Sequence, residues 1–175
     1  MPRRKPLQEI TARTPSPVLA RPVQPRLIDA GMLPYNASAS GQAERYRRGA
    51  TSHTIHVWWA RRPHSAMRAL VFASLVRDTR SARLELLGRL GSDANVSSEV
   101  LQAARQVMAD EYASPPRLLD MFAGGGTIPL EAARLGIEAY ALDSNQLATF
   151  INRCNLGWAA SPQRGDLVRQ GRDAP

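Results

Sequence analysis

The feature that most constrains this chain is a run of three glycines between two short apolar segments. A short apolar run covers 117–122 and leads into the turn at 123–127, which reads Ala-Gly-Gly-Gly-Thr. A helical pattern then covers 128–135, and a second apolar segment covers 138–142. A strand, a glycine turn, a helix and a second strand form the opening βαβ unit of a doubly wound sheet. We therefore predict an α/β fold in this half of the chain.

The residues around the glycines limit which nucleotide could bind. A phosphate loop needs a lysine after its last glycine, and none follows Gly126. A dinucleotide fingerprint needs a third glycine where Pro129 stands. Asp120 lies four residues before Gly124, and a carboxylate there would repel a pyrophosphate. The two common phosphate-binding motifs are therefore disfavoured.

The two acids at the predicted strand ends favour a different cofactor. Asp120 would attract the cationic methionine ammonium of S-adenosylmethionine. Asp143 ends the second strand, 17 residues after Gly126, where an acid can accept hydrogen bonds from both ribose hydroxyls. We interpret the segment as an S-adenosylmethionine site. The alternative is the glycine turn of another α/β domain, with Asp120 serving only as a cap.

The rest of the chain divides into three further regions. Residues 1–26 are rich in proline and arginine without apolar periodicity and predict a disordered tail. Residues 27–113 predict a mainly helical, basic domain, residues 114–160 the first βαβ of a cofactor-binding domain, and residues 161–175 a polar tail. Helices are predicted at 38–48, 63–76, 81–90, 97–112 and 145–156.

Two of these helices have apolar faces that predict burial. The helix at 63–76 would bury a stripe of apolar positions, and the helix at 97–112, with Ser97 as its N-cap, would bury another. The first stripe is Met67, Leu70, Val71, Ser74 and Leu75, and the second is Val100, Leu101, Ala104, Val107 and Met108.

Positive charge is concentrated in the N-terminal half. The net charge is +8, and residues 45–83 alone hold nine arginines against one acid, Asp78. Clustered arginines with aromatic neighbours can bind phosphates and stack on bases. The alternatives are a solvated helical face, a core position for one tryptophan, and a role for Arg61 at the interface with the cofactor domain. The candidate nucleic-acid-binding residues are Arg47, Arg48, Trp58, Trp59, Arg61 and Arg62.

Other residue counts narrow the class of protein. Cys154 is the single cysteine, so an intrachain disulfide is excluded and a reducing cytoplasm is favoured. The longest central apolar run, 69–76, is shorter than the roughly 20 residues that span a bilayer, and we predict no membrane association. His53, His56 and His64 cluster without a nearby acid or cysteine, so a metal site is not favoured.

The segment 118–151 resembles motifs I and II of the amino-group DNA methyltransferases. The similarity is greatest to large adenine-specific DNA methylases that open with a conserved domain of unknown function. Their motif runs Asp-Pro-Phe-Ala-Gly-Gly-Gly-x-Ile-Pro-Leu-Glu-Ala-x-Arg-Leu-Gly. Residues 120–136 read Asp-Met-Phe-Ala-Gly-Gly-Gly-Thr-Ile-Pro-Leu-Glu-Ala-Ala-Arg-Leu-Gly, and 138–145 resemble the acidic strand end. The segments 56–63 and 70–76 resemble the N-terminal domain of these methylases.

The resemblance implies roles for individual residues. Asp120 would meet the methionine end of S-adenosylmethionine and Asp143 its ribose. Phe122 would pack against the cofactor, and Gly124 and Gly126 would give backbone clearance. The full set of expected cofactor-binding residues is Asp120, Phe122, Gly124, Gly126, Thr127, Asp143 and Asn145. The implied fold is a partial Rossmann-like methyltransferase fold after a mainly helical N-terminal region.

Catalysis by this family needs an Asp/Asn-Pro-Pro-aromatic tetrapeptide that receives the flipped-out base. The sequence has no such tetrapeptide, and it lacks the zinc ribbon of the family as well. We therefore expect a DNA adenine methyltransferase in incomplete or N-terminal form, with DNA and the remainder of the methylase as partners. The alternative is a non-catalytic module that binds DNA or a partner and keeps a vestigial cofactor half-site. Whether the chain alone is an enzyme stays open.

Overall fold

The computed structural model describes residues 24–44, 58–77 and 80–158. These residues form a mixed helix-and-strand architecture with a two-stranded parallel sheet. In chain order the elements are α1 Tyr35–Glu44, α2 His64–Leu75, α3 Ser81–Leu90, α4 Ser98–Glu111, β1 Arg117–Asp120, α5 Thr127–Arg134, β2 Glu138–Ala141 and α6 Gln146–Asn152, after which a π-helical segment covers Arg153–Trp158.

Local sequence signals account for most element boundaries. Helix α3 has the predicted bounds, and α4 begins after Ser97, whose Oγ accepts a hydrogen bond from the Val100 amide at 3.4 Å. Helix α1 begins three residues before the predicted start, and the predicted residues 45–48 lie outside the described residues. The buried face predicted for α4 is confirmed in full.

The face predicted for α2 is wrong in part. Leu70 is 40% exposed, whereas His64 and Arg68 lie in the core. Apolar periodicity could not reveal this rotation, because α2 buries His64 and Arg68 against Glu131 on α5. The residues that α2 buries are His64, Ser65, Arg68, Ala69, Val71, Phe72 and Ala73.

The sheet places the ends of two strands next to each other. Strands β1 and β2 pair in parallel, with Arg117 opposite Glu138 and Asp120 opposite Ala141. Side chains alternate between a half-buried face and an exposed face on both strands. Because the pairing is parallel, the carboxyl ends of β1 and β2 lie at the same edge of the sheet.

Gly136 ends α5, as the sequence predicts. Its φ is +82°, a conformation that glycine adopts without steric cost. Its amide donates to the Ala133 carbonyl at 3.0 Å, and the Ile137 amide donates to the Ala132 carbonyl at 3.0 Å. This pair of bonds is the Schellman arrangement, and it turns the chain directly into β2.

One hydrophobic cluster runs from the N-terminal helices into the βαβ unit. It joins Leu27 and Phe72 to Leu90, Leu135 and Ile137, all of them buried. The predicted boundary between domains at 113 and 114 therefore crosses a continuous core.

A buried ion network fixes α2 against α5. Glu131 accepts from Arg68 Nε at 2.6 Å, from His64 Nδ1 at 2.8 Å and from Arg134 at 2.9 Å. Arg68 also donates to the carbonyls of Leu90 and of residues 93 and 94. Buried charges are tolerated only when they are paired and hydrogen-bonded, and here the carboxylate and Arg68 both meet that condition.

Glu44 caps α2 from the end of α1. Its carboxylate accepts from the His64 amide at 2.7 Å, from the Ser65 amide at 3.3 Å and from Ser65 Oγ at 3.1 Å. The first amides of a helix have no intrahelical acceptor, and negative charge at that end is favourable. Glu44 therefore positions the segment that enters α2.

Candidate functional site

The structure brings the two predicted acids to one edge of the sheet. Asp120 is the last residue of β1, and Asp143 lies two residues beyond β2. The Leu142 amide donates to the Asp120 carbonyl at 2.8 Å, and the Ala123 amide donates to the Leu142 carbonyl at 3.0 Å. The two segments that carry the acids are thus hydrogen-bonded to each other beyond the strands, with the glycine turn between them.

The glycine turn adopts backbone conformations that favour glycine. Gly124 has φ of +50° and Gly126 has φ of +78°. Gly126 is the N-cap of α5 and donates its amide to the Ala123 carbonyl at 2.8 Å. The prediction of a glycine turn that opens a helix is confirmed, and Thr127 is the first residue of that helix.

Asp143 accepts a hydrogen bond from the glycine turn and another from the start of α6. Its Oδ1 accepts from the Asn145 amide at 2.8 Å and its Oδ2 accepts from the Gly124 amide at 2.8 Å. These two hydrogen bonds lower the pKa of Asp143 below its ordinary value, the bond from Asn145 having the larger effect. A carboxylate has about four lone-pair sites, so each oxygen keeps capacity for another donor.

The remaining predicted cofactor residues surround these acids. Asp120 is half-buried, and its Oδ1 accepts from the Phe122 amide at 3.1 Å. Phe122 itself is 88% exposed, and Leu142 is also exposed. Asn145 caps α6 through its side-chain oxygen, which accepts from the Leu147 amide at 2.9 Å. The acids are therefore flanked by uncovered apolar surface.

The space beside the glycines is filled by side chains of this chain. A Cβ on Gly124 would lie 2.7 Å from Trp58 Nε1, and one on Gly125 would lie 3.2 Å from Trp58 Cγ. A Cβ on Gly126 would overlap Asn152 Oδ1. The close approach that glycine permits is thus used internally, while the strand-end carboxylates keep acceptor capacity for an outside ligand.

Sequence reasoning missed Asn152. It is buried, donates through Nδ2 to the Gly124 carbonyl at 3.0 Å, and its Oδ1 has no hydrogen-bond partner within the described part of the chain. Asn152 lies 26 residues after Gly126, so no local sequence pattern connects it with the glycine turn. Glu131 lies in the segment 120–136 that contains the glycine turn, but nothing in the sequence indicated that its partners lie on α2.

The residues predicted to bind nucleic acid do not all lie in the same environment. Trp59 is 84% exposed, and Arg61 and Arg62 are exposed as well. All three line a cavity of about 550 Å³ beside α1. Trp58 is half-buried against the glycine turn, with its ring centroid 6.5 Å from that of Trp59. Arg47 and Arg48 lie outside the described residues.

Two further sequence expectations concern metals and membranes. Of the three histidines only His64 is described, and it bonds to Glu131. Across 24–44, 58–77 and 80–158, no group of three or more potential ligands could hold a metal ion. Within those same ranges, no helix has both the length and the apolar character that a membrane span requires.

Comparison with known proteins gives one match, over part of the chain. The fold defines a mixed helix-and-strand protein with a glycine turn at the edge of a parallel sheet. Residues 33–100 match the model of a family described as a protein of unknown function (DUF1156). The match covers α1 to α3 and the first three residues of α4, and it ends before β1. No curated protein and no solved structure matches the chain.

Proposed function

We propose that this chain carries the S-adenosylmethionine-binding part of a DNA adenine methyltransferase. The observation that supports it most is the pair of acids at the carboxyl ends of adjacent parallel strands, on either side of a glycine turn that opens a helix. Ligands of open α/β sheets bind at that edge. We also propose that further strands extend the two-stranded sheet into a Rossmann-like fold.

The donor set suits the cofactor at both of its ends. Asp143, held ionised by two amides, would accept from the ribose hydroxyls. Asp120 would pair with the methionine ammonium through its Oδ2. The exposed ring of Phe122 and the side chain of Leu142 would lose water-accessible apolar surface on contact with the adenosine.

The family match is compatible with this proposal at its N-terminal end. The resemblance predicts an opening domain of unknown function, and the match at 33–100 falls in that region. The connection to DNA methylases itself depends on the motifs at 118–151. Bound S-adenosylmethionine would supply an activated methyl group, and we propose that the Asp/Asn-Pro-Pro-aromatic group comes from the remainder of the methylase, in the cytoplasm.

Calorimetric titration of the chain with S-adenosylmethionine tests the proposal. We expect saturable binding that Asp143→Ala weakens at least about tenfold, because a hydrogen bond to a charged group contributes roughly 1.5–3 kcal/mol. Asp110→Ala, which removes an exposed acid on α4, is the matched control and should bind like the unmodified chain. Absence of binding by the unmodified chain would overturn the proposal.

A second candidate function is a DNA-binding module without catalysis. The exposed Trp59, Arg61 and Arg62 beside the cavity favour it, since guanidinium groups bind phosphate and an indole can stack on an unpaired base.

Fluorescence anisotropy with a labelled DNA duplex tests this surface. Replacing Arg61 and Arg62 with alanine should raise the Kd and reduce the salt dependence by about one unit of slope per arginine. Arg89→Ala, an exposed arginine on α3, serves as the control. An unchanged salt slope in the double variant would show that these arginines do not contact phosphate.

A further inference from the structure

Trp58 contacts the glycine turn from a part of the chain distant in sequence. Its indole lies against Gly124 and Gly125, so closely that a Cβ on either glycine would come within 3.2 Å of a ring atom. Trp58 belongs to the segment that matches the family of unknown function, and the glycines lie outside that match. The N-terminal region therefore covers one side of the turn directly.

Asn152 holds the turn at a second point. Its Nδ2 donates to the Gly124 carbonyl at 3.0 Å and to the Ala148 carbonyl at 2.8 Å. Its Oδ1 lies where a Cβ on Gly126 would be. The indole and the amide together leave the turn little freedom to change its dihedral angles.

The chain that follows Trp58 is anchored by packing. Five residues after it, Pro63 contacts α1, since a Cβ on Gly41 would lie 3.0 Å from Pro63 Cβ. Glu44 caps the next residues, and the Glu131 network joins α2 to the helix that begins at the turn. An aromatic side chain with two rotatable bonds, anchored in this way, can set the shape of the loop it contacts.

We infer that Trp58 is a positioning residue: it holds the glycine turn in the conformation in which the Gly124 amide reaches Asp143. The inference rests on the proposed function only where it concerns cofactor affinity. This role differs from nucleobase stacking, which was one interpretation of the sequence beside a core position for one tryptophan, and it makes the N-terminal region part of the candidate site. Trp59, on the exposed side, has no such role.

Hydrogen exchange of the full chain, read by mass spectrometry over residues 121–127, tests the inference without any ligand. Trp58→Ala should speed exchange there about tenfold to a hundredfold, because partial burial of a large side chain is lost. Trp58→Phe should restore most of the protection, and Trp59→Ala should leave it unchanged. Unchanged exchange in Trp58→Ala would overturn the inference.

A second measurement covers the case in which Trp58→Ala unfolds the whole chain. With 5-fluorotryptophan in the chain, Gly125→Ala should shift the ¹⁹F resonance of Trp58, because the added Cβ displaces the indole. Gly88→Ala in α3, where a Cβ meets no atom within 4 Å, should not shift it. If Gly125→Ala left the ¹⁹F chemical shift of Trp58 unchanged, the inference would also be overturned.

Titration with S-adenosylmethionine separates this inference from the proposed function. If the unmodified chain binds, Trp58→Phe should bind within about threefold of it, and Trp58→Ala should bind at least about tenfold more weakly. Equal affinity in Trp58→Ala would contradict a positioning role. If the unmodified chain does not bind, the proposed function fails, and the exchange and ¹⁹F results decide on Trp58 alone.

Discussion

At the scale of single residues, the glycine turn shows why three glycines stand together. Gly124 and Gly126 have positive φ and lie where a Cβ would collide with Trp58 or Asn152, and a Cβ on Gly125 would contact Trp58 tightly, at 3.2 Å. The requirement is therefore both conformational and steric. Asp143 adds a hydrogen bond across the turn and keeps its charge.

Gly126→Ala tests the steric requirement. A left-handed conformation costs a non-glycine residue roughly 1–2 kcal/mol, and the new Cβ would also overlap Asn152 Oδ1. We expect the free energy of unfolding to fall by about 2–4 kcal/mol in a denaturant titration. Gly88→Ala is the control, with a gain of up to about 1 kcal/mol because it lies inside α3. Equal stability of the two variants would contradict the steric account.

At the scale of elements, the contact between α2 and α5 joins the N-terminal helices to the βαβ unit. Glu131 lies in the centre of this contact with His64, Arg68 and Arg134 around it. Burial alone would raise the pKa of Glu131, but the hydrogen bond from His64, together with the charges and hydrogen bonds of the arginines, lowers it overall. The lowered pKa favours the charged carboxylate.

Glu131→Gln should destabilise the chain and flatten its response to acid. Removing one partner from a buried ion cluster costs roughly 3–5 kcal/mol. Because the folded-state pKa lies below the ordinary 4.5, the contribution of Glu131 is fully present above pH 4.5. It is lost as the pH falls through the folded-state pKa.

Thermal unfolding followed by circular dichroism between pH 7 and pH 3 measures both effects. The unmodified chain should lose stability below pH 4.5, and Glu131→Gln should lose less over that interval while starting lower. Glu85→Gln, an exposed acid on α3, should behave like the unmodified chain. A Glu131→Gln variant with the same acid response would contradict the charged state of Glu131.

The same contact explains what the sequence could and could not predict. Ser97 and Gly136 act through neighbours within a few residues, and the apolar face of α4 repeats at helical spacing, so local patterns located them. Arg68 and Glu131 are 63 residues apart, and their charges gave no reason to expect burial. The face of α2 was misplaced for that reason.

The candidate site divides in the same way. Asp120, the glycines and Asp143 follow from strand ends and a turn, which local sequence defines. Trp58 and Asn152 reach the turn only through tertiary packing. Predicting their contacts would require knowing how α2 and α6 lie against α5.

At the scale of the whole molecule, the described residues share one hydrophobic core, and the two-stranded sheet has one face that nothing in the described part of the chain covers. The faces of β1 and β2 opposite α5 expose Leu119 and Tyr140. Parallel sheets normally have both faces covered. We therefore propose that further parts of a methyltransferase fold cover this surface, next to the edge that carries Asp120 and Asp143.

The central claim is that these two acids bind opposite ends of one sulfonium nucleoside. The most direct test is calorimetric titration of the unmodified chain, Asp120→Ala and Asp143→Ala with S-adenosylmethionine and with 5′-methylthioadenosine, which lacks the methionine ammonium. We predict that Asp143→Ala weakens the binding of both compounds at least about tenfold, whereas Asp120→Ala weakens only that of S-adenosylmethionine. Equal loss of both compounds in Asp120→Ala, or unchanged affinity in Asp143→Ala, would contradict the assignment.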